Sequence, residues 1–268
     1  IANSQAGMGR ADVVDGGFRV TGSWHFVSGA HSSTHAGGTC LVFDESGQRM
    51  MPNGQPLVVF ALWPVGDARL GDDWDTTGLR GTGSVSMSVE NVFVPAHMVV
   101  DFSQPPRMDL DPLNYVNVEN AGNMACAALA IGIADSALEA FKDLAATKKQ
   151  MDGTLLGASP LARLAAGDAE IRLAQARGHL YGTAEAFWHE VEDGTCDQEA
   201  WFARTALAST SAADAAIEIV SSLYRAAGSS AVFRGGRLDR CLRDIYTLGA
   251  HKMVQRGNVL IYGGASVN

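Results

Sequence analysis

The chain has 268 residues, 47% hydrophobic and 18% charged, which is enough for two domains of ordinary size with their own cores. A net charge of -9 and a pI near 5.2 exclude a partner held by phosphate neutralisation, so no nucleic acid is expected. No apolar stretch, residues 125–134 included, approaches the roughly 20 residues that span a bilayer. Residues 1–11 lack the basic start and apolar run of a signal peptide, and no membrane partner is expected.

Residues 1–116 read as β-structure. Gly17–Gly22, Cys40–Phe43, Leu57–Leu62 and Val85–Val89 alternate with period two, and Asp15-Gly16-Gly17 and Asn53-Gly54 supply turns between such segments. With no helix-length segment among them, these strands predict an antiparallel barrel or sandwich. Gly78-Leu79-Arg80-Gly81-Thr82-Gly83 has the look of a dinucleotide-binding fingerprint, but that fingerprint must open a helix. Residues 84–94 alternate like a strand instead, so these glycines predict a tight loop whose backbone is approached closely.

His31 and His35 are four apart, a metal-binding spacing only on a helix. They lie in a Gly- and Ser-rich loop with no acid nearby, so no metal is expected. Neither a Gly-x-Ser-x-Gly elbow nor a phosphate-binding P-loop is present.

A Pro-rich bridge follows, Gln104-Pro105-Pro106 and then Asp111-Pro112, and the pattern changes. Met124, Ala128, Ile131, Leu138, Phe141 and Ala145 recur at helical steps. Breaks near 153–160, 193–194 and 228–236 divide residues 117–268 into four helices of roughly 25 to 35 residues, the pattern of an up-and-down four-helix bundle. The expected class is α+β, with a β-domain at 1–116 and a helical bundle at 117–268. Cys40, Cys126, Cys196 and Cys241 are isolated from one another and read as reduced thiols of a cytoplasmic protein.

Three stretches, in order, carry a resemblance. They are Gly16–Gly29, with Trp24-His25-Phe26-Val27-Ser28-Gly29 at its end; Trp74–Ser84, continuing to Asn91-Val92-Phe93-Val94-Pro95; and Ser229–Arg234, continuing through Leu242-Arg243-Asp244 to His251. Together they resemble the acyl-CoA dehydrogenase superfamily, and within it the two-component flavin monooxygenases such as 4-hydroxyphenylacetate hydroxylase oxygenase components and dibenzothiophene monooxygenase. The resemblance implies a middle β-domain and a C-terminal four-helix bundle with a flavin ring between them. It also implies an N-terminal helical domain that this sequence does not contain, so a piece of a longer protein is expected.

By the same resemblance, Trp24, Phe26, Val27, Ser28 and Gly29 form the strand end that meets the flavin, with Ser28 near its reactive edge. Thr82 and Ser84 line the Gly-rich loop, whose backbone N–H groups suit an anion, and Arg234 and Arg237 reach a flavin phosphate. Lys148 and Lys149 are weaker candidates for that phosphate. His251 is placed beside the flavin and substrate as a proton-transfer group, on one helix face with Asp244, Leu248 and Gln255. The implied cofactor is FMN or FAD, noncovalent and supplied reduced by a separate flavin reductase. The implied reaction is hydroxylation of an aromatic or heterocyclic small molecule through a C4a-hydroperoxyflavin, in a homotetramer.

The competing chemistry, FAD-dependent acyl-CoA dehydrogenation, needs a carboxylate base. Neither residues 229–238 nor 245–268 contain Asp or Glu, and Glu119 stands about a turn early. A third possibility is a non-catalytic fragment or assembly partner.

Overall fold

The computed structural model describes residues 1–104 and 111–267; the expected bridge at Pro105-Pro106 lies outside them. The chain forms two compact units. One holds Ile1–Thr76 and resumes at Arg80, and the other holds Thr77–Leu79 together with the helical half.

The first unit is an eight-stranded sheet. Strands β1 (Ala2–Val14) and β2 (Gly17–Val27) make a hairpin whose two loop residues are Asp15 and Gly16. Gly16 has φ 76°, which explains why the Asp-Gly dipeptide signals this turn. Then follow β3 (His35–Asp44), β4 (Gly47–Gln48), β5 (Val58–Pro64), β6 (Arg69–Leu70), β7 (Val85–Pro95) and β8 (Val99–Asp101), in the spatial order β6-β7-β2-β1-β3-β5-β8, with β4 on β3.

The sheet is mixed, which corrects the wholly antiparallel expectation. Because β2 returns along one edge of β1 and β3 reverses again to take the other edge, β3 runs parallel to β1. Trp24 is fully buried in this unit, its ring 5.2 Å from that of Trp63 and its indole N–H donating to the Thr39 carbonyl at 3.1 Å. Three glycines make room for the ring: a Cβ on Gly9 or Gly38 would come within 2.5 Å of a Trp24 atom, and one on Gly22 within 2.6 Å.

The second unit holds α1 (Val118–Thr147), α2 (Pro160–Glu192), α3 (Gln198–Ala227), α4 (Arg237–Gly249) and α5 (Gly257–Val267). The Asn117 side chain caps α1 by accepting the Asn120 N–H, and Asp197 caps α3 through the N–H groups of Glu199 and Ala200. Ala127, Ala130, Ala134 and Ala137 of α1 are fully buried, and their small side chains let α1 and α3 pack closely. At one end of this seam the contacts are polar. Thr205 donates to Asn120 Oδ1 at 2.7 Å, and Asn123 donates to Thr205 Oγ1 at 3.1 Å.

Two expectations change here. The fourth helix is not continuous, because α4 stops at Gly249 and a 3-10 turn at Lys252–Val254 separates it from α5. Also, α1 is long and apolar enough to cross a membrane by length and composition, with a mean hydropathy of 1.6 over an 18-residue window. Its apolarity comes from Ala and Gly distributed among larger residues, and 44% of that window is buried inside the protein.

The Trp24 contacts predict that Gly38→Ala lowers the unfolding free energy by about 1–3 kcal/mol, the cost of overpacking a filled core. Denaturant titration checks this, and an unchanged midpoint would contradict the packing described.

Candidate functional site

In the sheet unit the site grows out of a break in strand alternation. Trp24 and Val27 are both fully buried, yet a spacing of three should put them on opposite faces. The ladder to β7 resolves this: Trp24 pairs with Met87 and Val27 with Val85. Three steps along β2 thus oppose two along β7, which is a β-bulge. Phe26 absorbs the extra residue at φ 59°. The left-handed conformation costs a bulky residue of order 1–3 kcal/mol, and such strain gathers at ligand sites. The bulge turns Val27 back into the core and leaves Phe26 62% exposed, its ring edge-on to Trp74 at 6.2 Å.

Hydroxyls collect just beyond it. Ser28 Oγ is 2.7 Å from Ser84 Oγ, which is 2.7 Å from Thr82 Oγ1. The Gly29 N–H donates to the Thr82 carbonyl at 2.8 Å and the Ser28 N–H to the Phe26 carbonyl at 3.0 Å, so strand end and loop hold one another. Two links among three hydroxyls use two protons. When the chain runs Thr82 to Ser84 to Ser28, the exposed Ser28 hydroxyl is left to donate outward.

Two backbone N–H groups of the Gly-rich loop are engaged within the protein. The Leu79 N–H is taken by Asp244 Oδ1 at 2.7 Å, and the Gly83 N–H by the Arg80 carbonyl. Arg80 pairs with Asp75 at 2.8 Å. Arg243 donates to the Thr77 carbonyl at 2.8 Å, and a Cβ on Gly78 would sit 2.6 Å from Thr247 Oγ1. Gly78 therefore allows the close approach to α4.

In the helical unit His251 is not on a helix face with Asp244, Leu248 and Gln255. The helix has ended, and His251 is extended at φ -72°, ψ 138°, capping the 3-10 turn Lys252–Val254. Its Nδ1 accepts the Met253 N–H at 3.3 Å and lies 3.9 Å from Cys126 Sγ of α1. Burial pushes the His251 pKa below its ordinary value, and the Lys252 charge pushes the same way. Burial also raises the Cys126 thiol.

The structure brings Phe26, Ser28, Thr82 and Ser84 together. The Trp24 and Val27 side chains are enclosed and serve that edge by fixing the strand beneath it. Arg234 is exposed. Arg237 is engaged, donating to Glu139 at 2.6 Å and to Ser136 at 2.9 Å. Lys148 donates to the Ala227 carbonyl at the end of α3, as a cation at a helix C-terminus does.

Sequence reasoning missed Trp74, Cys126 and Met253 as neighbours of the candidate residues. Trp74 stands within a stretch that carries the resemblance. No local pattern points to the other two, because α1 meets the turn after α4 only in the folded bundle.

Comparison with known proteins covers both the mixed-sheet unit and the Ala-rich helical unit. Residues 124–256 match the family "Acyl-CoA dehydrogenase, C-terminal domain". The matched region is just under half of the chain, and the chain as a whole has an acyl-CoA dehydrogenase-like fold, matching butyryl-CoA dehydrogenase of Megasphaera elsdenii with a TM-score of 0.76 at 17% identity over 98% of this chain and 64% of that one. The chain is 29% identical over 245 residues to indole-3-acetate monooxygenase of Pseudomonas putida, covering 90% of this chain and 60% of that protein. It is 28% identical over 272 residues to the flavin-dependent monooxygenase oxygenase subunit HsaA of Rhodococcus jostii, covering 94% of this chain and 66% of that one. The fold matches XiaF from Streptomyces, solved with FADH2 and glycerol, with a TM-score of 0.86 at 24% identity over 99% of this chain and 68% of that one. The chain thus spans about three fifths to two thirds of the length of these relatives.

A histidine with a depressed pKa stabilises the fold above its unfolded pKa near 6.5, and that stability is lost as pH falls through the folded value. Protonating Nδ1 would also remove the acceptor of the Met253 N–H, close to the Lys252 charge. His251→Asn keeps an acceptor for the cap and does not titrate. The stability lost between about pH 7.5 and about pH 5 is therefore expected to be smaller in His251→Asn than in the wild type, read by denaturant unfolding at each pH. Equal losses would show that the His251 site does not titrate as described.

Proposed function

We propose that this chain is the sheet-and-bundle part of the oxygenase component of a two-component flavin monooxygenase. It would hydroxylate an aromatic or heterocyclic small molecule, using noncovalent FMN or FAD delivered reduced by a separate reductase. The proposal includes a cytoplasmic homotetramer, to which the four free thiols and the Ala-rich helices are suited. The names of the relatives support the chemistry. The observation that carries the reading is the Phe26 bulge, a strained aromatic held outward beside a hydroxyl donor.

A flavin ring needs an apolar surface against its face and hydrogen-bond donors at its heteroatom edge. Phe26 with Trp74 provides the first and the Ser28 hydroxyl the second, so the residues present fit the group. Reduced flavin, when bound, supplies the electrons that activate dioxygen. Phe26 and Ser28 orient the ring, with Ser84 and Thr82 fixing the Ser28 hydroxyl. Arg234 offers an exposed cation for a phosphate. His251 handles a proton near neutral pH, as an imidazole is suited to do.

Phe26→Gly separates this role from packing. Glycine relieves the left-handed strain, so stability is expected to hold or to rise by up to about 1 kcal/mol, while affinity for reduced flavin falls tenfold or more. Anaerobic flavin titration and denaturant unfolding read the two effects. In the full-length protein, supplied with reduced flavin, oxygen and an aromatic acid or phenol, a hydroxylated product is expected. Flavin bleaching by acyl-CoA without any reductase would instead mark a dehydrogenase and overturn the reading.

A further inference from the structure

The bulge at Phe26 has a counterpart on the other edge of β7. Because Trp24 pairs with Met87 and Val27 with Val85, Ser86 is the β7 residue level with the bulge. Its backbone faces the chain that follows β6. The Gly71 N–H donates to the Ser86 carbonyl at 2.8 Å, as the next rung after the Leu70–Met87 pair should. In a regular antiparallel rung the Ser86 N–H would return to the Gly71 carbonyl. Here it donates to Asp73 Oδ1 instead, at 2.8 Å, so a side chain completes the ladder where the strand has ended. Gly71 leaves room for this, since a Cβ there would press on Ser86 Oγ and come within 2.9 Å of Asp73 Oδ1. The Ser86 N–H, with its hydroxyl and the His25 charge, holds the Asp73 carboxyl below the usual carboxylate range. The acceptor is therefore ionised at neutral pH and bonds the N–H strongly. The next residue is Trp74, half-buried against the sheet core, with its ring at 88° to that of Phe26.

We propose that Asp73 is a positioning residue of the flavin edge: by accepting the Ser86 N–H it fixes Trp74 against Phe26, and so sets the Phe26 ring in place before a flavin arrives. The inference rests on the proposed function for its ligand. The bulge fixes the Phe26 backbone, but a side chain standing mostly in solvent keeps its torsional freedom unless another group packs on it. Two rings are within reach. His25, its neighbour in sequence, lies 6.5 Å away, and Trp74 lies 6.2 Å away in an edge-to-face arrangement, a geometry that aromatic pairs favour. Trp74 comes from a segment without regular structure, so it holds Phe26 only as firmly as that segment is itself held. The Asp73–Ser86 bond supplies the hold one residue away and at the level of the bulge. A ring ordered beforehand loses less conformational freedom on binding, which strengthens the complex.

Two substitutions separate the bond from the charge. Asp73→Ala removes the acceptor, whereas Asp73→Asn keeps a carbonyl oxygen that can receive the Ser86 N–H. The ring contact is read from the Phe26 ring-proton shifts in the NMR spectrum of the chain, with Trp74→Leu giving the shifts of Phe26 without its neighbour. Asp73→Ala is expected to move the Phe26 signals toward those of Trp74→Leu, and Asp73→Asn to leave them near the wild type. Phe26 signals unmoved in Asp73→Ala overturn the proposal. Binding is read by anaerobic titration of the full-length protein with reduced FAD. Affinity is expected to fall about fivefold or more in Asp73→Ala and to stay within about twofold in Asp73→Asn, the loss being that of a preset ring. Wild-type affinity in Asp73→Ala, or equal falls in both variants, overturns this proposal alone. Absence of any flavin binding by the wild type overturns the proposed function and this proposal with it.

Discussion

The arrangement of the sheet unit depends on burying Trp24 and Val27 together. An unbroken strand cannot place residues three apart in one core, and β2 meets the demand with one extra residue opposite β7. The Trp24 ring, seated among three glycines and tied to the Thr39 carbonyl, anchors one side of the bulge, and Val27 against the sheet core anchors the other. Phe26 is left to take the left-handed conformation and to stand out. The strain is local and small beside the burial that enforces it, because a fully buried indole contributes several kcal/mol. The core thus fixes the edge offered to a ligand. Ser28, Ser84 and Thr82 then bind strand end and loop into one hydroxyl chain.

The helical unit solves a similar problem differently. Its core is largely alanine on the α1–α3 seam, which gives close packing but few large side chains. Polar contacts among Asn120, Asn123 and Thr205 fix the register where the alanine row begins. The chain then leaves α4 at Gly249, and His251 serves the backbone as a cap. A single imidazole thereby holds the turn with its Nδ1. Its neutral form suits that task, since protonation would cost the cap.

Much of this was legible in the sequence. Period-two runs marked β2, β3, β5 and β7, the Asp-Gly dipeptide marked the β1–β2 turn, and helical spacing with glycine breaks marked α1 to α3. Strand β1 was not legible, because Ala-Asn-Ser-Gln-Ala-Gly-Met-Gly has almost none of the β-branched and aromatic residues that announce a strand; its pairing partners on both sides make it one. The parallel β1–β3 pair is a matter of topology that no local pattern carries. The motif around Trp24–Gly29 pointed to the right strand end, but not to the bulge, which comes from cross-strand register. The helix face assumed for His251 failed for a local reason. A 4-3-4 spacing looks the same whether or not the helix continues, and the His251 side chain instead caps the next turn by accepting the N–H two residues on.

The central claim is that the Phe26–Ser28 edge is built to hold a flavin. The most direct measurement is an anaerobic titration of the isotopically labelled chain with reduced FAD, following the backbone amides by NMR. The account predicts saturable shifts centred on Phe26, Ser28 and Ser84, with the middle of α2 unmoved. Saturable binding that leaves those three amides unmoved, or no binding with full-length protein either, would contradict it.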